Sequence, residues 1–360
     1  MSGINNKITE NQYSAIIHSA MVAIGILSLA QGTTLKAYQQ GWIAVIIGGV
    51  YPLFIIFVSY YTDKKMNHIE FWDVSKKLYG KFLSHIIMLF FTANFIFLQA
   101  AILSGFANAL NATIVPFIPP ITIIIITMLI TIYASIDGLT IPGRICEIFF
   151  YIIWILISIF IVFIPKGTIL NIKPIFSSFK GIAAAVPPSF FAYTGVELSF
   201  IIIPFITNRK NTLKAGISAT LSVIFIYAFT VFTIIYYLGW ELSSKIVRPA
   251  VYVLSTIKIP VFEDFTVFFF VLWSGVILRI LPTQYFGLSY CFSKAFKIDY
   301  KKSCVLSSIP ILVLTYFMIG EHNRRGLVDP LTGFFVKGLS AWAMITLIWV
   351  FIMKRWKIWE

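Results

Sequence analysis

Uncharged apolar runs of about 20 residues recur along the whole chain and constrain its fold more than any other feature. A helical run of this length matches the hydrocarbon thickness of a bilayer. The 360 residues are 59% hydrophobic and only 12% charged, whereas soluble domains carry about 25% charged residues. A bilayer admits only helices and closed barrels, and the runs lack the alternation of barrel strands. The sequence therefore predicts an all-α integral membrane protein.

These runs predict about ten transmembrane helices in a single transmembrane domain, residues 1–360. The loops between them are short, so no second domain is expected, and the lipid bilayer is the main surrounding of the chain. This composition excludes a soluble enzyme and a secreted disulfide scaffold. The predicted spans are 13–33, 41–61, 84–110, 119–136, 145–165, 182–206, 215–238, 265–290, 304–320 and 334–353.

The distribution of Lys and Arg predicts the orientation. The net charge of +14 would suit a nucleic-acid binder only if the charges formed one basic surface, and here they lie between the spans. One side of the membrane holds 17 of the 28 basic residues, which places both termini in the cytoplasm by the positive-inside rule. These 17 are Lys7, Lys64, Lys65, Lys76, Lys77, Lys81, Arg144, Arg209, Lys210, Lys214, Lys294, Lys297, Lys301, Lys302, Lys354, Arg355 and Lys357.

Catalytic and metal-binding motifs are missing from the sequence. There is no phosphate-binding loop of the G-x-x-x-x-G-K-[ST] type, no H-E-x-x-H and no G-x-S-x-G. The three cysteines and four histidines have no metal-ligand spacing. We therefore expect no enzymatic activity, no cofactor, no metal site and no nucleic-acid partner. His18 is interpreted as a packing residue of the first span.

Two longer loops carry structural signals. Residues 62–83 mix aromatic residues with five lysines, which suits either an amphipathic helix on the cytoplasmic face or a solvated connector. Residues 239–264 contain an apolar stretch that is too short to span a bilayer, so an external helix or lid is expected there.

Two charged residues lie deep inside predicted spans, well away from the span ends. Glu197 falls in the sixth span and Arg279 in the eighth. A charge at bilayer depth costs at least about 2.5–3.5 kcal/mol, so such residues usually have a function or a partner. The alternative for each is a structural ion pair or a side chain that lines a wet cavity.

Helix-breaking residues occur at corresponding places in the first and sixth spans. Gly25 interrupts the first span, and the sixth contains Pro187, Pro188 and Gly195. Paired interruptions of this kind are typical of a midplane substrate site in inverted-repeat transporters. Unwound backbone there offers N–H groups to a carboxylate and carbonyls to an ammonium. This favours a zwitterion such as an amino acid.

Several motifs, in this order over nearly the whole chain, resemble the B-subunit family of bacterial spore germinant receptors, the spore germination permeases. The combination, together with about ten spans and this length, is more specific than any single motif. The motifs are Ile8-Thr9-Glu10-Asn11-Gln12, Ala23-Ile24-Gly25-Ile26-Leu27-Ser28-Leu29, Gly41-Trp42-Ile43, Tyr79-Gly80-Lys81, Gly195-Val196-Glu197, and Arg248-Pro249 followed by Trp273.

The resemblance implies a leucine-transporter-like fold with two inverted five-helix repeats, about 10–165 and 180–353, in which helices 1 and 6 are broken. It also implies that the chain binds a small nutrient, often an amino acid, at the bilayer midplane. With a larger A subunit and a lipoprotein C subunit it would trigger germination from the spore inner membrane. Glu197 would lie just beyond the pocket. Carried over by position, the ligand-binding residues are Ala23, Ile24, Gly25, Asn94, Leu98, Tyr193, Thr194 and Gly195.

Three functions remain open from the sequence. The leading one is a nutrient sensor with a transporter fold. The second is a proton-coupled or exchanging amino acid permease, in which the Arg279 cation takes the place of a coupling ion. The third is a structural scaffold. Glu197 is either a proton carrier or an anchor that holds the broken sixth helix, and a sensor favours the anchor because it needs no proton traffic.

Overall fold

The computed structural model describes residues 6–258 and 265–355, and most of them are helical. Within these ranges there is no β-strand, only an isolated bridge between Ile8 and Ile206. Six segments are long and apolar enough to cross a bilayer, and a bent helix pair makes a seventh. The prediction of an all-α membrane protein is confirmed, whereas the count of ten spans stays a prediction. The last part of the predicted external loop, 259–264, and Lys357 lie outside the described residues.

The first half of the described chain forms eight α-helices. A stretch of 3-10 helix, Ile159–Lys166, continues the last of them, so helical backbone lies over each of the first five predicted spans. The helices are α1 Glu10–Met21, α2 Ile26–Ala37, α3 Gly41–Gly48, α4 Val50–Lys65, α5 Phe71–Thr113, α6 Pro120–Ser135, α7 Thr140–Ile148 and α8 Phe150–Ser158.

The second half forms nine more helices, again over every predicted span. They are α9 Phe179–Tyr193, α10 Ser199–Ile202, α11 Thr212–Leu238, α12 Trp240–Lys245, α13 Pro249–Ser255, α14 Phe265–Phe296, α15 Tyr300–Leu306, α16 Ser308–Phe317 and α17 Glu321–Arg355. Short 3-10 turns flank α10 at Val196–Leu198 and Ile203–Phe205. The helix expected in the external loop is present as α12 and α13.

The chain reverses between α2 and α3. Tyr38 has a φ of 54°, outside the helical range. A Cβ on Gly41 would lie 3.2 Å from the Cβ of Thr33, whereas residues eight apart in a straight helix are about 12 Å apart. The continuous apolar segment 26–65 therefore contains two helices that run in opposite directions.

The start of α5 is the amphipathic helix that the sequence predicts for residues 62–83. Its apolar side buries Phe71, Val74 and Leu78, while Asp73 and Lys76 form a partly exposed ion pair at 2.7 Å. Gly80, with a φ of 76°, separates this short helix from the long one that follows. The solvated-connector alternative is therefore wrong.

The first and sixth spans are both broken. The first has a gap between Met21 and Ile26, where the chain leaves helical geometry at Val22. The sixth bends by 52° between α9 and the helical stretch from Val196 onward. Both prolines of the predicted sixth-span break lie inside α9 without ending it; membrane helices tolerate proline where neighbouring groups satisfy the freed backbone.

Candidate ligand-binding site

The two helix breaks face each other in the core of the protein. A Cβ on Gly25 would lie 3.1 Å from the Cα of Ala192, so the two backbones are in close contact. Tyr227 of α11 bridges them, because its hydroxyl lies 2.7 Å from the Met21 carbonyl oxygen and 2.9 Å from that of Ala192. The buried hydroxyl thus provides a donor at the point where both helices lose their own backbone hydrogen bonds.

A small closed cavity lies between the breaks. Its volume of about 10 Å³ is roughly the space that one water needs. Four predicted site residues, Ala23, Gly25, Leu98 and Thr194, line this inner cavity. The other lining residues are Ala20, Met21, Ile102, Phe191 and Gln284. We expect ligand binding here to require a more open arrangement of the two breaks.

Gln284 of α14 is a polar residue of the inner cavity that the sequence reasoning missed. Its Nε2 donates to the Ala20 carbonyl at 2.9 Å, and its Oε1 is buried without a hydrogen-bond partner among the described residues. That oxygen is free to accept a hydrogen bond from a ligand. A search for uncharged polar residues inside the spans, instead of charged ones alone, would have found it.

The remaining predicted site residues surround the inner cavity without lining it. Ile24 packs towards α5, where a Cβ on Gly105 would lie 3.0 Å from its side chain. Tyr193 points to the second span and donates its hydroxyl to the Val45 carbonyl at 2.8 Å. Asn94 and Gly195 both bind the Glu197 carboxylate.

Glu197 is fully buried, and its carboxylate forms hydrogen bonds at the break of the sixth span. One carboxylate oxygen accepts from Asn94 Nδ2 at 2.5 Å, and the other accepts from the Gly195 backbone N–H at 2.9 Å. The acceptor therefore satisfies a backbone donor at the start of the second half-helix. It also ties that half-helix to α5. This geometry suits an anchor.

Position 195 fits glycine and no other residue type. Its φ of 100° lies in the left-handed region, which side chains with a Cβ rarely adopt. In addition, a Cβ there would overlap the Ala20 carbonyl oxygen and the Gln284 side-chain amide. Gly195, the Ala20 carbonyl and the Gln284 side chain are therefore in close contact, which holds the break of the sixth span against the break of the first span.

Arg279 is buried in α14 without a counter-ion among the described residues. Its side chain is fully excluded from solvent. Nη1 lies 3.5 Å from Nδ1 of His18 in α1, while Nε and Nη2 have no hydrogen-bond partner in the described residues. The structural ion pair that the sequence offered as an alternative is not present there. A fixed cation therefore sits between the first and eighth spans.

A larger outer cavity lies on the other side of Phe191. It has a volume of about 390 Å³, and Phe191 and Gly25 line both this cavity and the inner one. The half-buried Phe191 ring thus stands between the two spaces. Three cationic residues, Lys36, Arg324 and Arg325, line the outer cavity with one acidic residue, Asp329.

The described part of the chain has no cluster of the side chains that usually bind transition metals. No group of three or more His, Cys, Asp or Glu side chains in residues 6–258 and 265–355 could hold an ion.

The chain matches known proteins over nearly its whole length. The sequence pattern of the spore germination protein family covers residues 7–325. The spore germination protein YndE of Bacillus subtilis (strain 168) is 26% identical over 325 residues, which are 88% of this chain and 89% of that protein.

Solved structures show the same fold at low sequence identity. MhsT in complex with L-phenylalanine has a TM-score of 0.70 at 14% identity, with 97% of this chain and 96% of that chain covered. A Na⁺-coupled sialic acid symporter in a substrate-bound outward-open state has a TM-score of 0.68 at 11% identity, with 97% and 79% covered. The predicted leucine-transporter-like fold is confirmed.

Proposed function

The chain belongs to the spore germination protein family, and from this premise we propose that it is the nutrient-binding subunit of a spore germinant receptor. It binds a small ligand, an amino acid, between the two helix breaks. With A and C subunits in the spore inner membrane, and with both termini in the cytoplasm, it converts binding into the germination signal.

The observation that carries this proposal is the arrangement of groups around the inner cavity. The N-terminus of α2 starts at Ile26, beside the cavity, and a helix N-terminus attracts a carboxylate. The unpartnered Gln284 Oε1 can accept a hydrogen bond from an ammonium. Apolar residues such as Leu98 and Ile102 supply the rest of the lining. A helix N-terminus that donates to a carboxylate and an amide oxygen that accepts from an ammonium, both at one apolar pocket, suit a zwitterion.

The test is a germination assay on spores that carry variants of this chain in place of the wild type. A Cβ introduced by Gly25→Ala would lie 3.1 Å from Ala192 Cα and 3.3 Å from the Phe191 ring, so it narrows both cavities. We expect the nutrient concentration for half-maximal germination to rise at least tenfold.

Gly326→Ala is the matched control, because it makes the same change in α17 where no atom lies within 4 Å of the added Cβ. That variant should germinate as the wild type does. Equal responses of the two variants, at equal protein levels, would show that the ligand does not bind between the breaks.

The second candidate is a proton-coupled or exchanging amino acid permease. The fold likeness to a symporter favours it, and Arg279, which has no counter-ion among the described residues, would replace a bound cation between the first and eighth spans. Uptake of labelled amino acid into vesicles that contain only this chain separates the two functions. A sensor gives saturable binding without accumulation, whereas a permease accumulates label.

A further inference from the structure

Three arginine side chains converge on one carboxylate at the outer cavity. Arg248 Nη2 lies 3.0 Å from Glu321 Oε2, Arg324 Nη2 lies 2.7 Å from Oε1, and Arg325 Nε lies 2.9 Å from Oε1. One carboxylate cannot neutralise three guanidinium groups. The outer cavity therefore retains an excess of positive charge.

Arg325 and Arg324 differ in how many of their guanidinium nitrogens are hydrogen-bonded within the protein. Arg325 uses its other two nitrogens within the protein, donating to Gln31 Oε1 at 2.6 Å and to the Val247 carbonyl at 2.7 Å. Arg324 also donates from Nε to Glu321 at 3.1 Å, but its Nη1 is buried with no partner among the described residues. Of these two residues, Arg324 thus keeps a buried guanidinium nitrogen that has no acceptor among the described residues.

Arg324 is held at the boundary between the two cavities. Its side chain is only 5% exposed, and its guanidinium lies over the Phe191 ring, 6.0 Å from the ring centroid. A buried charged donor without an acceptor is costly, so a ligand that supplies an acceptor gains more here than at an exposed arginine. A carboxylate is the acceptor that best matches a guanidinium.

Asp329 supplies the opposite charge in the same cavity. It lies five residues after Arg324 on α17, lines the outer cavity, and is exposed. A rise of about 1.5 Å per residue separates the two positions along the helix by roughly 7.5 Å. Two flexible side chains of opposite sign at this spacing can bracket the two charged groups of a small zwitterion.

We propose that the outer cavity is a first binding site for a free amino acid, with the ligand carboxylate on Arg324 and its ammonium towards Asp329. This inference rests on the proposed function, because it names the chemical class of the nutrient and the place where it first binds. The Phe191 ring beneath Arg324 then separates this first site from the inner cavity.

The experiment measures binding by the purified full-length chain in nanodiscs. The probes are L-alanine, L-leucine and L-phenylalanine, each compared with its analogue that lacks the amine and its analogue that lacks the carboxylate. We expect at least one of the three amino acids to bind, and its analogue without the carboxylate to bind more than tenfold more weakly. The Arg324→Gln variant should lose at least tenfold in affinity for that amino acid.

Two further variants make the result specific. Removal of Arg324 leaves Glu321 paired with Arg248 and Arg325, so the variant should fold and keep its melting temperature without ligand. Lys36→Gln removes a charge from the same cavity at an exposed side chain, and its affinity should stay within threefold of wild type. The Asp329→Asn variant should reduce the preference for the amino acid over the amine-free acid.

The inference fails if Arg324→Gln binds as well as wild type, or if Lys36→Gln weakens binding equally, since general charge attraction would then explain the data. It also fails if none of the three amino acids binds. In that case the role of nutrient-binding subunit still stands, without an amino acid as its ligand, if spores that lack this chain lose their response to another nutrient, such as a sugar or a nucleoside.

Discussion

The side-chain amide of Asn94 donates to the Glu197 carboxylate at 2.5 Å across 103 residues of sequence. The same carboxylate accepts from the Gly195 N–H at 2.9 Å. This pair joins the third span to the broken sixth span directly beside the inner cavity. Any movement of the sixth-span break must therefore move α5 or break a buried hydrogen bond.

The Glu197→Gln variant distinguishes between the two proposed roles of Glu197, an anchor of the broken helix and a proton carrier. The introduced amide keeps one oxygen acceptor, and Asn94 Oδ1 has no hydrogen-bond partner among the described residues, so a flipped Asn94 amide can accept from the new NH₂ group. We expect nutrient-dependent germination within about threefold of wild type and a similar melting temperature, because the two hydrogen bonds, each worth about 1 kcal/mol, are remade.

Glu197→Ala is the companion variant. It leaves both buried donors unsatisfied and should cost about 2–6 kcal/mol of stability, seen as a lower melting temperature of the purified chain. A Glu197→Gln protein that is stable but inactive would instead support the proton carrier.

Tyr227 should be needed to hold the two breaks together. Tyr227→Phe removes the hydroxyl that contacts the Met21 and Ala192 carbonyls, and a buried acceptor left without its donor costs about 1–3 kcal/mol. We expect a lower melting temperature and a weaker nutrient response. Tyr237→Phe on the same helix is the control, because among the described residues the Tyr237 hydroxyl makes a single, longer hydrogen bond, 3.4 Å to Thr256. Equal melting temperatures for the two variants would contradict the bridging role.

Gly195→Ala should disrupt the site through the backbone. The left-handed conformation costs a residue with a Cβ about 1–3 kcal/mol, and the added methyl overlaps the Ala20 carbonyl and Gln284. The expected results are reduced thermal stability and loss of nutrient-dependent germination. Gly326→Ala, where no described atom outside its own stretch of helix lies within 4 Å of the added Cβ, should change neither. A normal response of Gly195→Ala would place the functional break elsewhere.

The transmembrane architecture could be predicted because it depends on local composition. A run of apolar residues long enough for the bilayer must be helical whatever its neighbours are, and Gly25 and Gly195 mark the two breaks within such runs. The failure of Pro187 and Pro188 to end α9 could not be predicted in the same way. Whether a proline breaks a membrane helix depends on groups from other helices.

The direction of each side chain at the site depended on tertiary packing. The family resemblance places Asn94 and Tyr193 in the pocket, yet Asn94 binds Glu197 and Tyr193 binds the second span. His18 looked like an isolated packing residue because its neighbour Arg279 is 261 residues away in sequence. Long-range pairs of this kind have no signature in a single sequence.

Arg279 provides a prediction in which stability and function change in opposite directions. Its guanidinium is fully buried, and two of its three nitrogens have no partner among the described residues. Replacing a buried charge by an apolar side chain of similar volume is often stabilising by about 1–4 kcal/mol. Such a costly cation is expected to persist only where the function requires it.

We therefore expect Arg279→Met to raise the melting temperature of the purified chain and to abolish nutrient-dependent germination. Arg279→Lys retains the positive charge near His18 and should keep a partial response, because the charge itself, not the guanidinium shape, replaces a bound cation. The response of the wild type should not depend on sodium. A methionine variant that is less stable but responds normally would show that Arg279 has a structural role, and the fixed-cation interpretation would then be wrong.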